Sequence, residues 1–338
     1  MTSWTASELD HSLVGVLEVR PRAEWASAAA VLGVASTTVA RHWHELVRRG
    51  AAWVTAAPGP QLAGQEACAL VLLAVVPTKR AAVAAALQHD PAAGTVSTVE
   101  GAWDFLVDTF ETSGLALTAA VDRFAGLPGV QRTEVVHLVA AHRDGSHWRS
   151  GTISAGQTSS VAAGSPGAVW PAPTSPDATD RALLSRLTLD GRTSLADLAD
   201  SCHTSPQTVG RRLQRLIGSG YAALRCDTAQ PLRRPHREVT LLLNVPLAQI
   251  DAATAFLATL PECRLVAEVL GEQNLFATMW VRDYEQLKTR ERELGRAAPG
   301  TMVRARLAIG GTVKRSGQLL GEQEHRVGTV PMAIWPAP

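Results

Sequence analysis

The chain has 338 residues, too many for one ordinary hydrophobic core, so two or more domains are expected. With 46% hydrophobic and 19% charged residues it is globular in composition, and a formal net charge of +1 excludes a uniformly basic nucleic-acid coat. Any contact with a polyanion must come from local clusters. The longest aliphatic run, residues 67–76, is too short to span a bilayer, and the N-terminus carries no basic-then-apolar leader pattern. Cys68, Cys202, Cys226 and Cys263 are scattered without a C-x-x-C pair, so a reduced, cytoplasmic protein with no metal site, cofactor or membrane contact is expected.

Residues 1–60 read as three helices. Ser7 can cap the first, with Asp10 in its first turn and Leu9, Leu13, Val16 and Leu17 as its apolar stripe. A second helix covers residues 24–32, and a tight turn at Gly33-Val34 leads to a third helix starting near Ser36. Val39, Trp43, Leu46 and Val47 recur there at helical spacing, while Thr37, Thr38, Arg41 and His42 are expected to face outward. Helix, short turn, helix is the arrangement that can insert its second helix into a major groove.

From residue 66 to 149 the pattern changes to strand 68–76, helix 79–87, strand 95–100, strand 105–110, helix 115–124 and strand 132–139. This β-α-β-β-α-β order is the ferredoxin-like split. Residues 150–176, rich in Ser, Gly, Ala and Pro, are expected to be a flexible linker.

The plan then recurs. STTVARHWHELVRR at residues 36–49, closed by Gly50, returns 170 positions later as PQTVGRRLQRLIGS at 206–219, closed by Gly220. Asp10 and Asp180, Leu13 and Leu183, Leu17 and Leu187, and Arg22 and Arg192 keep the same offset. A second three-helix unit is therefore expected over 177–228, a second β-α-β-β-α-β unit over 237–325 and a tail over 326–338. Ser205 should cap the second copy of the third helix, with Pro206 at its first position. Ala35 offers no such cap, so the first copy should start more weakly, by about 1 kcal/mol.

The fold class expected is α+β, a tandem duplication of a winged-type helix-turn-helix domain followed by a ferredoxin-like domain. Ser36, Thr37, Thr38, Arg41 and His42 in one helix, and Gln207, Thr208, Arg211, Arg212 and Arg215 in the other, are the candidate DNA contacts. Guanidinium can pair bidentately with guanine, and hydroxyls and amides reach phosphates and base edges. His42 and His44, at i and i+2, cannot share a helix face as a metal pair. Trp25, Trp43, Trp53, Trp103, Trp148 and Trp280 read as core or interface residues.

The opening LDHSLVGVLEVRPRAEWASAAAVLGVASTTVARHWHELVRRG at residues 9–50, with the β-α-β-β-α-β unit behind it, resembles the leucine-responsive regulator/asparagine-activator (Lrp/AsnC) family of transcription factors, and the repeat makes the chain most similar to double-length members. The resemblance implies a sequence-specific, double-stranded-DNA-binding regulator without catalytic residues. It also implies homo-oligomers built through the sheet domains and an amino acid or similar small molecule bound there. The family carries a Gly-x-x-Asp turn between the middle strands. Gly101 and Asp104 match it, and Gly271 and Asn274 stand at the second copy with an amide for the carboxylate, so these four are the candidate effector residues. Siroheme decarboxylases share the two-part architecture, but residues 96–110 and 266–280 contain no histidine for a general acid. A third reading is a ligand-sensing or oligomerisation module whose helix-turn-helix units have degenerated.

Overall fold

The computed structural model describes residues 5–64, 66–162, 176–233 and 236–335. The first three-helix unit opens with α1 (Glu8–Val19). A capping box fixes its start: Ser7 Oγ accepts from the Asp10 amide at 3.2 Å, and the Asp10 carboxylate accepts from the Ser7 amide at 2.8 Å. The second helix, α2 (Trp25–Leu32), ends at Gly33 with φ 68°. It is followed by α3 (Ser36–Arg48), which buries Val39, Trp43 and Leu46. Strand β1 (Ala52–Pro58) leaves this unit.

The first sheet unit follows as β2 (Ala67–Val75), α4 (Arg80–His89), β3 (Ala93–Glu100), β4 (Phe105–Glu111), α5 (Gly114–Ala125) and β5 (Val130–Arg143). Beyond it, α6 (Ala155–Ala162) lies inside the stretch expected to be a flexible linker. Val161 and Ile153 pack on the core of the first helical unit, and Gln157 donates to the Val31 carbonyl at 3.1 Å. Two apolar side chains and a satisfied carbonyl are enough to dock this segment despite its composition. Residues 163–175 of that stretch lie outside the described ones.

The second helical unit is α7 (Ala178–Leu189), α8 (Leu195–Ser201) and α9 (Pro206–Gly218), continued by β6 (Ala222–Thr228). Ser205 Oγ accepts from the Thr208 amide at 3.2 Å, whereas Ala35 gives α3 no side-chain cap. The second sheet unit runs β7 (Arg237–Asn244), α10 (Ile250–Thr259), β8 (Cys263–Leu270), β9 (Leu275–Val281), α11 (Tyr284–Ala297) and β10 (Met302–Arg315).

Each sheet has the split order, β3-β4-β2-β5 in one and β8-β9-β7-β10 in the other. The edges then join: β5 pairs with β8, and β10 with β3, closing eight strands into a barrel. Closure explains the unbroken aliphatic run of β2. Val71, Leu73 and Val75 pack under the outer helices, and Leu70 and Leu72 point into the barrel beside Leu242, Phe276 and Leu307.

Strands β1 and β6 form a separate antiparallel ribbon. In its register Thr55 lies opposite Arg225, 170 positions further along the chain, so a local twofold axis passes between them. The tail is structured too. Strands β11 (Gln318–Leu320) and β12 (Arg326–Thr329) extend β10, and the Arg326 amide donates to the Gly50 carbonyl at 2.8 Å. Gly50 holds φ 63°, and a Cβ there would lie 2.1 Å from the Arg326 carbonyl oxygen. Met332, Ile334 and Trp335 then sink into the core of the second helical unit against Leu183, Leu187 and Tyr221. The tail is a strap that ties the barrel to both helical units.

Candidate nucleic-acid interface

Burial of Val39, Trp43 and Leu46 on α3, and of Val209, Leu213 and Leu216 on α9, fixes which face of each helix is left to solvent. On α3 that face carries Thr37, Arg41, His44 and Arg48, all exposed; on α9 it carries Gln207, Arg211 and Gln214. Ser36 is exposed at the start of α3, and Thr38 is half-buried. Thr208 is half-buried as well, its hydroxyl 2.9 Å from Ser205 Oγ.

Three of the residues expected on the outer face turn inward. His42 Nδ1 lies 2.8 Å from Asp10 Oδ1. At the equivalent position Arg212 donates to Asp180 Oδ1 at 2.8 Å and to Asp177 Oδ2 at 2.7 Å, and Arg215 pairs with the other Asp180 oxygen. One step along the helix from Arg41 or Arg211, a side chain reaches the shoulder of the bundle. There the first-turn aspartate of α1 or α7 is its nearest counter-charge. Burial works to raise the Asp10 carboxyl, but the bonds from His42 and Ser7 outweigh it and hold the group below its ordinary value. Asp180 is 1% exposed and takes two guanidiniums. His44 and Gln214 had no place among the sequence candidates. Their spacing from Arg41 and Arg211, three residues on, is the signal that puts them on the same face.

Asp104 Oδ2 accepts from the Val75 amide at 2.8 Å, with Arg80 Nε 3.5 Å from its other oxygen. Asn274 makes a two-way bond to Val245, accepting from its amide at 2.9 Å and donating to its carbonyl at 2.7 Å. Both side chains thus fasten the end of the neighbouring strand, in matching geometry. Gly101, at φ 125°, and Gly271 shape the turns and bring no polar group of their own.

Ribbon and barrel are joined by ion pairs. Buried Asp227 accepts from Arg225 at 2.8 Å and from Arg264 at 2.9 Å. Burial and the neighbouring Arg225 press Arg264 down to about 10. Arg264 also sits 4.1 Å over the ring of Trp280. Glu324 of the strap pairs with Arg315 and Arg233. Beside this network lies a cavity of about 130 Å³ lined by Asp108, Arg225, Arg264 and Arg315. A second cavity of about 520 Å³, lined by His236, Arg233 and Arg237, opens near the junction of β10 with β3.

A family model of the AsnC-type helix-turn-helix domain matches residues 177–217, the span of α7 to α9. An uncharacterized HTH-type transcriptional regulator of Pyrococcus abyssi is 28% identical over 113 residues, covering 33% of this chain and 72% of that protein. Its counterpart from Pyrococcus horikoshii is 26% identical over the same shares. Residues 177–217 thus carry an AsnC-type helix-turn-helix domain. The AsnC-type helix-turn-helix is therefore present where α9 exposes Gln207 and Arg211. Among solved structures, the siroheme decarboxylase NirDL matches 91% of this chain and 93% of its own at a TM-score of 0.56 and 14% identity, a likeness of fold. Among the described residues, no helix is long and apolar enough to cross a membrane.

Proposed function

We propose that this chain is a sequence-specific transcriptional regulator of the Lrp/AsnC type, a tandem duplication in which one chain presents two helix-turn-helix units to a two-part DNA site. The observation that carries the reading is the equivalent placement of Arg41 on α3 and Arg211 on α9, both exposed on a helix whose opposite face is locked into a core. A guanidinium so placed can reach guanine O6 and N7 or a phosphate. Replacing either arginine by alanine is expected to weaken binding to the selected site by about 1–3 kcal/mol, measured by fluorescence anisotropy at fixed salt. Unchanged affinity in both variants would overturn the reading.

The same reading includes a small-molecule input at the sheet domains, supported by the polar cavity that Arg225 shares between ribbon and barrel. Repeating the binding assay with each of the twenty amino acids tests it. Self-association through the sheet domains is part of the same reading, and sedimentation velocity tests it.

A second reading, an enzyme resembling the siroheme decarboxylases, is favoured by the cavity that holds His236 among arginines, because guanidiniums suit tetrapyrrole carboxylates. An absorbance titration with iron uroporphyrin distinguishes the two. A saturable spectral shift with no DNA enrichment favours the enzyme, and DNA enrichment without a shift favours the regulator.

A further inference from the structure

The outer stripes of α3 and α9 align position by position: Thr37 with Gln207, Arg41 with Arg211, His44 with Gln214 and Arg48 with Gly218. Only the arginine is shared. Beyond the stripe, α9 has spent Arg212 and Arg215 on Asp177 and Asp180, so they are held against α7. At the matching positions α3 has His42, held by Asp10, and Glu45, which engages Arg48 and Arg49. The two exposed faces therefore differ in chemistry: Arg41, His44 and Arg48 on one, and Arg211 flanked by two amides, Gln207 and Gln214, on the other.

On the regulator reading, we infer that His44 and Gln214 are the residues that make the two half-sites different, with Arg41 and Arg211 reading the base the half-sites share. A glutamine amide matches adenine, accepting from N6 and donating to N7, and does so bidentately. An imidazole N–H can donate to purine N7 or to guanine O6 but offers no matching acceptor and donor pair. At this one position the half-site under α9 carries adenine and the half-site under α3 carries guanine. Asp180 is a positioning residue in this scheme, because it withholds Arg212 and Arg215 from the groove.

The test is selection of binding sites from a randomised duplex pool by full-length wild type, His44→Gln and Gln214→His, with the preference at each position read by sequencing. Wild type is expected to enrich a two-part site with unequal halves. His44→Gln should move one position of one half towards adenine, by roughly five- to hundred-fold in preference, and leave the other half as it was. Gln214→His should do the reverse in the opposite half. A wild-type site whose base preferences neither variant changes would overturn the assignment while leaving the regulator reading standing. Enrichment of no site by wild type would overturn both. Gln207→Ala guards against a misplaced contact: a shift to a neighbouring position there, with Gln214→His silent, would also overturn the role given to Gln214.

Discussion

Arg22 and Arg192 clamp each other's units across the local twofold axis. Arg22 donates to the carbonyls of Gly191 and Thr193 at 2.7 and 2.8 Å, and Arg192 donates to those of Pro21 and Ala23 at 2.6 and 2.8 Å. Each arginine thus satisfies the turn after the other unit's first helix. Together with the β1–β6 ribbon, the clamp fixes the two helical units as one body. Burial and the proximity of Arg22 press Arg192 down to about 10, and the Trp25 ring lies 3.8 Å under its guanidinium. A pair of like charges held this close persists because each has its own carbonyl acceptors.

A rigid pair of heads should be strict about spacing. Wild type is expected to lose affinity steeply when the half-sites are moved apart by half a helical turn, since the second helix then faces away from its groove. Arg22→Ala with Arg192→Ala should tolerate the insertion better while binding the correctly spaced site less tightly. Anisotropy on a series of spaced duplexes checks this, and equal spacing profiles would show that the clamp does not set the geometry.

The first-turn aspartates should differ in weight. Asp180 is nearly inaccessible and answers two guanidiniums, whereas Asp10 answers one histidine. Asp180→Asn is expected to cost about 2 kcal/mol, because Arg215 loses its carboxylate and half-buried Arg212 keeps only Asp177, and Asp10→Asn roughly 1 kcal/mol. Thermal unfolding followed by circular dichroism measures both, and an equal loss would contradict the arrangement described for α7 and α9.

Glu18 sets a pH dependence. Burial pushes its carboxyl up to about 7, against the bonds from the Ser150 amide and hydroxyl that favour the charged form. The folded value lies above the ordinary 4.5, so the fold holds this proton more tightly than the unfolded chain does. Its contribution is fully present below 4.5 and declines as pH rises towards 7. Glu18→Gln, which cannot ionise, should therefore gain roughly 1–3 kcal/mol over wild type at pH 8 and show little difference near pH 4.5. Denaturant titrations at the two pH values check the sign.

The strap gives a prediction that the sequence alone did not suggest. Trp335 is 0% exposed among Leu183, Leu187 and Tyr221, so Trp335→Ala should cost about 3–5 kcal/mol in the second helical unit. A loss confined to the barrel would contradict its place there.

Much of the fold was legible because its signals are local. The recurring Val39 and Val209 stripes and the capping residues Ser7 and Ser205 mark elements by short-range chemistry. What was not legible depends on contacts made far along the chain. The β1–β6 ribbon needs two strands 170 positions apart, and α6 becomes a helix by resting Val161 on a distant core. Trp335 looks like a stray aromatic until a core appears beneath it. On the candidate interface, spacing identified the exposed arginines Arg41 and Arg211. It did not separate them from Arg212 and Arg215, because a helical period says which side chains neighbour one another and not where Asp180 waits. The same holds for Asp104 and Asn274, whose partners are the backbone groups of Val75 and Val245.

The most direct test of the central claim, that one chain carries two distinct DNA-reading heads, is a hydroxyl-radical footprint on the selected site. The footprint is compared between wild type, Arg41→Ala and Arg211→Ala. Each substitution is expected to erase protection of one half-site, a different half for each, while the other half remains covered. Loss of both halves together in either variant, or protection unchanged in both, would contradict it.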